Sequence, residues 1–167
     1  PYLVIGSPPC TMYTAIQNLM KFKRDDKEYR RKLAEAKILL GFALEIYQLQ
    51  LDSGRHFLHE RPASAASWGE TGVQRLRADP RVGEVIADQC QFGLITLGDD
   101  GNLHPAKKPT RFLSSAPAVL ERLGKRCPGE HVHQQLLGGG RAARAAEYPA
   151  QLCRAICVEI LPPLCWS

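Results

Sequence analysis

Short apolar runs between residues 2 and 113 predict strands that alternate with helices. Residues 2–6 form a short apolar run ending in glycine, which is typical of a buried strand that opens into a loop. Two prolines follow, so residues 7–11 are expected to lack regular structure. Further strands are predicted over 55–60, 82–87, 94–97 and 110–113. Glycines and aspartates over 98–102 predict a hairpin turn.

A long helix is predicted after Asp25, which lies three residues before Glu28 in a capping-box pattern. Ser53 and Gly54 are expected to end it. One apolar stripe at helical spacing consists of Leu33, Ala36, Leu40, Leu44, Tyr47 and Leu51. A second apolar set consists of Ile38, Phe42, Ile46 and Leu49. Two apolar faces predict a helix that is packed on more than one side.

Shorter helices are predicted over 70–78, 117–125 and 149–161, the last with Pro149 in its first turn. The alternation of strands and helices predicts an α/β sheet with flanking helices. The length of 167 residues suits one domain spanning residues 1–167.

Composition and charge restrict the class of protein without defining its function. Hydrophobic residues make up 44% of the chain and charged residues 23%, which suits a globular core and not a disordered tail. The net charge of +5 permits an anionic partner such as DNA. Charged and polar residues interrupt the longest apolar stretch, over 34–51, so no transmembrane segment is predicted. The chain starts at Pro1 without a signal peptide, which we interpret as a fragment or a processed product.

The six cysteines do not have the spacing of a small disulfide-rich scaffold. An intracellular reducing compartment is therefore expected, rather than secretion. Cys153 and Cys157 lie four residues apart on a predicted helix, and we expect them to be small core residues. Cys10 follows a buried strand and two prolines, where a thiol is either a nucleophile at the edge of a sheet or an inert turn residue.

Four segments occur in the order found in one enzyme family. They are Gly6-Ser7-Pro8-Pro9-Cys10, Phe57-Leu58-His59-Glu60-Arg61-Pro62, Asp88-Gln89-Cys90-Gln91-Phe92-Gly93 and Tyr148-Pro149-Ala150-Gln151-Leu152-Cys153-Arg154-Ala155-Ile156. With these segments the chain resembles the DNA (cytosine-5) methyltransferases, from their Pro-Cys motif onward. The resemblance implies a partial Rossmann-like methyltransferase sheet.

The resemblance also implies roles for individual residues. Cys10 would attack C6 of a flipped cytosine, and Glu60 would hold the N3 and amino group of that base. S-adenosylmethionine would supply the methyl group. Its binding residues would be Pro8, Pro9, Tyr148 and Pro149. Lys107, Lys108 and Arg111 would contact DNA phosphates, or else form a solvated surface.

The chain also departs from the family pattern. The family's glycine-rich cofactor loop and its ribose-binding acidic residue lie upstream of the Pro-Cys motif and are absent here. Arg61 occupies the position of the family's asparagine, and Cys90-Gln91-Phe92 replaces expected basic residues. We therefore expect another protein chain to complete the enzyme. The alternative is an inactive fragment without cofactor that serves as a structural or linking subunit of a larger assembly.

Cys127, His131 and His133 place a thiol and two imidazoles within seven residues. These are zinc-ligand types, and a fourth ligand would come from a distant residue such as Cys90 or Cys153. The spacing matches no standard zinc finger. We therefore favour a polar turn without metal, followed by a short strand over 132–137.

Overall fold

The computed structural model describes residues 1–13, 25–138 and 140–158, which fold as α helices and β strands. The strands are β1 Leu3–Gly6, β2 His56–Pro62, β3 Gly83–Asp88, β4 Ile95–Leu97, β5 Leu103–Pro105 and β6 Pro109–Ser114. The helices are α1 Asp26–Asp52, α2 Thr71–Arg77, α3 Pro117–Leu123, α4 Arg141–Arg144 and α5 Ala150–Cys157. Within these described ranges, no helix combines the length and apolar character needed to span a lipid bilayer.

A four-stranded sheet has the order β1-β2-β6-β3, and β4 and β5 form an antiparallel hairpin. Strands β1 and β2 are parallel, with Leu3 opposite His56 and Gly6 opposite His59. The chain divides into two compact units. The first contains Pro1–Glu84 and Leu113–Ala116, and the second contains Val85–Phe112 and Pro117–Ser167. The predicted α/β class is confirmed.

Helix α1 is the longest element of the first unit, and its start is as predicted. The Asp25 side chain accepts hydrogen bonds from the backbone N–H groups of Lys27 at 2.8 Å and Glu28 at 3.4 Å. Ser53 caps the other end, and Gly54 follows with a φ of +63°. The predicted stripe packs into a core that also contains Phe57, Trp68, Val73, Leu76 and Leu113.

The prediction that α1 is packed on more than one side is wrong. Three of the four residues of its second apolar set face solvent, with Ile38 70% exposed, Phe42 63% and Leu49 59%, and Ile46 is half-buried. The period of 3.6 residues shows which side chains share a face, but it does not show whether another element covers that face. The buried face is instead the one that includes Leu40 and Tyr47.

The second unit contains the hairpin and two packed helices. Helix α3 contacts α5, and α5 also contacts the 3₁₀ turn Gln89–Phe92, which directly follows β3. Leu94, Ala106 and Ala145 form a small core beside the hairpin. This unit therefore places the end of β3 among elements that come from distant parts of the sequence.

Three predictions for the second unit are corrected. Residues 132–137 form no strand, because the segment lies outside the hydrogen-bonded ladders of both sheets. Cys153 and Cys157 are exposed and not in the core, since α5 buries Leu152 and Ile156 instead. Pro149 is the N-cap residue, with an extended ψ of 144°, so the helix begins one residue later. The predicted end of that helix, over 159–161, lies outside the described residues.

Candidate active site and a Cys/His cluster

The loop after β1 lies beside the end of β2, because the two strands are parallel neighbours. Gly6 is opposite His59, and Glu60 is the next residue of β2. The Ser7 hydroxyl donates a hydrogen bond to Glu60 Oε2 at 3.0 Å. Glu60 is only 7% exposed, so this contact anchors a buried carboxyl group to the loop that leads to Cys10.

Cys10 ends this loop as a half-buried, free thiol. Its carbonyl accepts a hydrogen bond from the Tyr13 N–H at 2.8 Å, at the start of a 3₁₀ turn over Thr11–Tyr13. The backbone of Cys10 has little freedom, because two prolines precede the residue and a turn follows it. The first unit thus brings the predicted nucleophile's loop and the predicted base-binding carboxyl group together.

Arg61 is a buried residue of this site to which the sequence pattern assigned no role. It is 1% exposed, and its Nη1 donates to the Ser67 hydroxyl at 3.0 Å. Its guanidinium carbon lies 5.1 Å from the centre of the Tyr13 ring. Burial lowers the pKa of Arg61, while electrostatic interactions with Cys10 and Glu60 act in the opposite direction. Its Nε and Nη2 have no hydrogen-bond partner within the described ranges. A buried cation with unused donors makes this site favourable for an anion.

His59 and Tyr47 are buried side chains that contact each other, and Tyr47 lies against Gly6, just before the loop. The Tyr47 hydroxyl and His59 Nδ1 are 3.0 Å apart, and the His59 ring meets the Trp68 ring edge to face at 5.4 Å. Burial, assisted by the nearby charge of Arg61, lowers the pKa of His59 to about 3, so the imidazole is neutral near pH 7. Burial raises the pKa of Tyr47. The polar residues of β2 gave no indication in the sequence that this strand would be buried.

The residues proposed to bind the cofactor belong to separate units. Pro8 is half-buried and Pro9 exposed in the first unit, whereas Tyr148 and Pro149 are half-buried in the second. None of these positions adds a charged group. The three prolines can offer a nucleoside only their backbone carbonyls as acceptors, because proline has no N–H. Tyr148 adds its aromatic ring and a phenolic hydroxyl.

The predicted phosphate-binding residues differ in what they contact. Lys107 Nζ is 39% exposed and lies 3.9 Å from Asp88 Oδ2. Lys108 Nζ donates to the Ala145 carbonyl at 2.8 Å, so it links two segments of the second unit. Arg111 is half-buried. Lys107 is therefore the most accessible of the three.

A Cys/His cluster forms a second candidate site, within the second unit. Cys90, Cys127, His131 and His133 have one ligand atom each within 4.8 Å of all the others. Cys127 Sγ is 3.6 Å from His131 Nε2 and 3.4 Å from His133 Nε2. The sequence identified three of these residues and named Cys90 as one of two possible partners. The structure places Cys90 there, whereas Cys153 is exposed on α5.

Asp88 positions the cluster through contacts with the chain just before Cys127. Its buried Oδ2 accepts hydrogen bonds from the Cys127 N–H and from Arg126 Nε, both at 2.9 Å. The Asp88 N–H donates to the Lys125 carbonyl, also at 2.9 Å. Because Cys90 lies two residues after Asp88, these bonds hold the two cysteines side by side.

The protonation of the cluster reflects crowding of its groups. Burial and the neighbouring Cys127 raise the pKa of the Cys90 thiol to about 11. Burial and the adjacent His131 lower the pKa of His133. With no metal bound, these shifts favour the neutral imidazole of His133 and the protonated thiol of Cys90 near pH 7.

Comparisons with protein-family models, curated proteins and solved structures find no match to this chain. Function is therefore inferred from the residues and geometry of the two candidate sites.

Proposed function

We propose that Cys10 is the nucleophile of a cytosine-directed methyl transfer, with Glu60 as the group that binds the base. The supporting observation is the 3.0 Å hydrogen bond from Ser7 to Glu60, which joins the cysteine loop to the carboxyl group. The resemblance of both segments to the cytosine-5 methyltransferases supplies the chemistry. In this proposal the fold is a partial Rossmann-like methyltransferase sheet.

The chemistry needs both residues because C6 of cytosine is a weak electrophile. The Cys10 sulfur forms a bond to C6, and the electron pair of the C5–C6 double bond moves onto C5 and the ring. Glu60 stabilises this ring by hydrogen bonds to N3 and the amino group. C5 then takes an electrophile. When C5 loses its original proton, the pair re-forms the double bond and the sulfur leaves.

The remaining components follow from the same proposal. S-adenosylmethionine, when bound, supplies the methyl group that C5 takes. The base must leave the DNA stack to reach Cys10, and Lys107 and Arg111 would offset the charge of nearby phosphates. Arg61 interacts electrostatically with the carboxyl group and the thiol. Its positive charge would stabilise the negative charge that develops on the cytosine ring in the addition step.

Hydrogen exchange at C5 tests the thiol and the carboxyl group without the cofactor. Addition of Cys10 to C6 lets C5 take a proton from water, and reversal returns cytosine with an exchanged hydrogen. DNA carrying deuterium at C5 should therefore lose it to water in the presence of the protein. Cys10→Ala should abolish the exchange, and Cys153→Ala, at an exposed cysteine, should not change it. Equal exchange by the wild-type protein and Cys10→Ala would overturn the assignment.

The alternative function, a linking subunit without catalysis, is favoured by the exposed apolar face of α1. Ile38, Phe42 and Leu49 together form a surface that another protein chain would cover. Native mass spectrometry of the chain from its source distinguishes the two functions. A partner of domain size and a mass step for one S-adenosylmethionine support the enzyme. A large assembly without that step, in a protein that exchanges no deuterium, supports the subunit.

A further inference from the structure

The Cys/His cluster has the ligand types and number of a structural zinc site. Zinc accepts thiolate sulfur and imidazole nitrogen, and closed structural sites have four protein ligands. Cys90 comes from the 3₁₀ turn after β3, and the other three come from the segment after α3. All four are half-buried, so an ion can reach them from solvent.

The distances match the geometry that zinc requires. With Zn–S near 2.3 Å and Zn–N near 2.0–2.1 Å, tetrahedral angles place sulfur and nitrogen ligands about 3.6 Å apart. The two distances from Cys127 Sγ are 3.6 Å to His131 and 3.4 Å to His133. Both imidazoles present Nε2 to the same sulfur. Small movements of the side chains would complete a tetrahedron.

The backbone around the cluster also indicates a cross-link. Residues 124–138 contain no helix or strand, and their side chains supply few buried apolar groups. Loops of this length are uncommon in a compact domain unless something orders them. Gly129, between Cys127 and His131, has a φ of +89°, which turns the chain back toward Cys127. The hydrogen bonds of Asp88 fix only the start of this segment.

We propose that Cys90, Cys127, His131 and His133 bind one zinc ion, which fastens residues 124–138 to the end of β3. Each cysteine binds as a thiolate, and its proton passes to solvent, so the step involves no oxidation. Because the protein fills all four positions, the ion is structural and carries no catalytic water. Its role is separate from the chemistry proposed for Cys10, which belongs to the other unit.

Thiol labelling of the wild-type protein tests this proposal without any substitution. The purified chain, loaded with zinc and dialysed, should contain about one zinc ion. Iodoacetamide should then modify Cys153 and Cys157 readily, and Cys90 and Cys127 only after a chelator is added. Peptide mass spectrometry reads each site separately. A zinc content near zero, or equal labelling of Cys90 with and without chelator, would overturn the proposal. So would a Cys90–Cys127 disulfide in the zinc-treated protein, detected as a peptide pair lighter by two hydrogens.

Cobalt substitution then tests the ligand set. Co²⁺ in a tetrahedral site with thiolates gives intense visible bands and sulfur-to-metal charge-transfer absorption. Cys90→Ser should weaken the charge-transfer absorption by about half, since one of two thiolates is lost. Cys153→Ser is the matched control and should leave the spectrum unchanged. An unaltered spectrum in Cys90→Ser would contradict the assigned ligands. The deuterium exchange attributed to Cys10 is measured separately, so either proposal can fail alone.

Discussion

Gly6 and Tyr47 are in such close contact that any larger residue at the end of β1 would displace the Tyr47 side chain. A Cβ atom at Gly6 would lie 1.9 Å from the Tyr47 hydroxyl oxygen and 2.9 Å from its ring carbon Cζ. That hydroxyl is also the partner of the buried His59 imidazole. The glycine that precedes the cysteine loop is therefore required by packing beneath the loop, independently of catalysis.

We expect Gly6→Ala to lower the free energy of unfolding by about 1–3 kcal/mol, because the added methyl group displaces the Tyr47 ring. Urea denaturation measures the change. Combining it with Tyr47→Phe should recover part of the loss, since the closest atom is removed. Gly41→Ala is the control. Among the described residues, no atom outside the adjacent backbone of its own helix lies within 4 Å of its Cβ position. Alanine in a helix should therefore stabilise the protein by up to about 1 kcal/mol. Equal effects of the two alanines would refute the packing argument.

His59 should make stability depend on pH on the acidic side of neutrality. Its pKa is about 3 in the folded chain, against the ordinary value of 6.5, so only the unfolded chain binds this proton between those values. Stability from this group is therefore complete above pH 6.5 and is lost as the pH falls toward 3. Between pH 8 and pH 5 the loss should be about 2 kcal/mol. Urea unfolding of the wild-type protein and of His59→Asn at both pH values measures the contribution of His59 to this pH dependence. The same pH dependence in His59→Asn would rule out this cause.

Local signals in the sequence were sufficient for most elements but not for the surroundings of the site. The capping aspartate Asp25 and the prolines after β1 act on adjacent residues, so their effects were predictable. The burial of Arg61 and His59 was not recognised. These polar residues belong to a strand that is covered by tertiary packing, which the local pattern of polar and apolar residues does not show. For the same reason, the sequence left Cys90 and Cys153 as equal candidates for the Cys/His cluster. Only the fold brings Cys90 beside Cys127.

The hydrogen bond between Ser7 and Glu60 predicts a graded effect on deuterium exchange at cytosine C5. Glu60→Gln removes the acid and should slow exchange by about 100-fold or more. Ser7→Ala removes one hydrogen bond to the carboxyl group and should slow it by about ten-fold. Ser64→Ala, at an exposed serine of the same unit, should have no effect. If Ser7→Ala and Ser64→Ala exchange equally fast, the contact with Glu60 does not position the carboxyl group.

Asp88 should control the affinity of the proposed zinc site without binding the ion. Its carboxylate holds the N–H of Cys127 and the side chain of Arg126, each at 2.9 Å, and so orients one ligand. Asp88→Asn keeps the size of the side chain but loses the charge. Since groups that orient metal ligands contribute strongly to affinity, we expect zinc binding to weaken about 10- to 100-fold. Competition with a chromophoric chelator measures the affinity, and Asp79→Asn, in the other unit, is the control. Because all four ligands remain, the cobalt spectrum of Asp88→Asn should retain its charge-transfer bands at saturating metal. Wild-type affinity in Asp88→Asn would show that Cys127 is oriented by the ion alone.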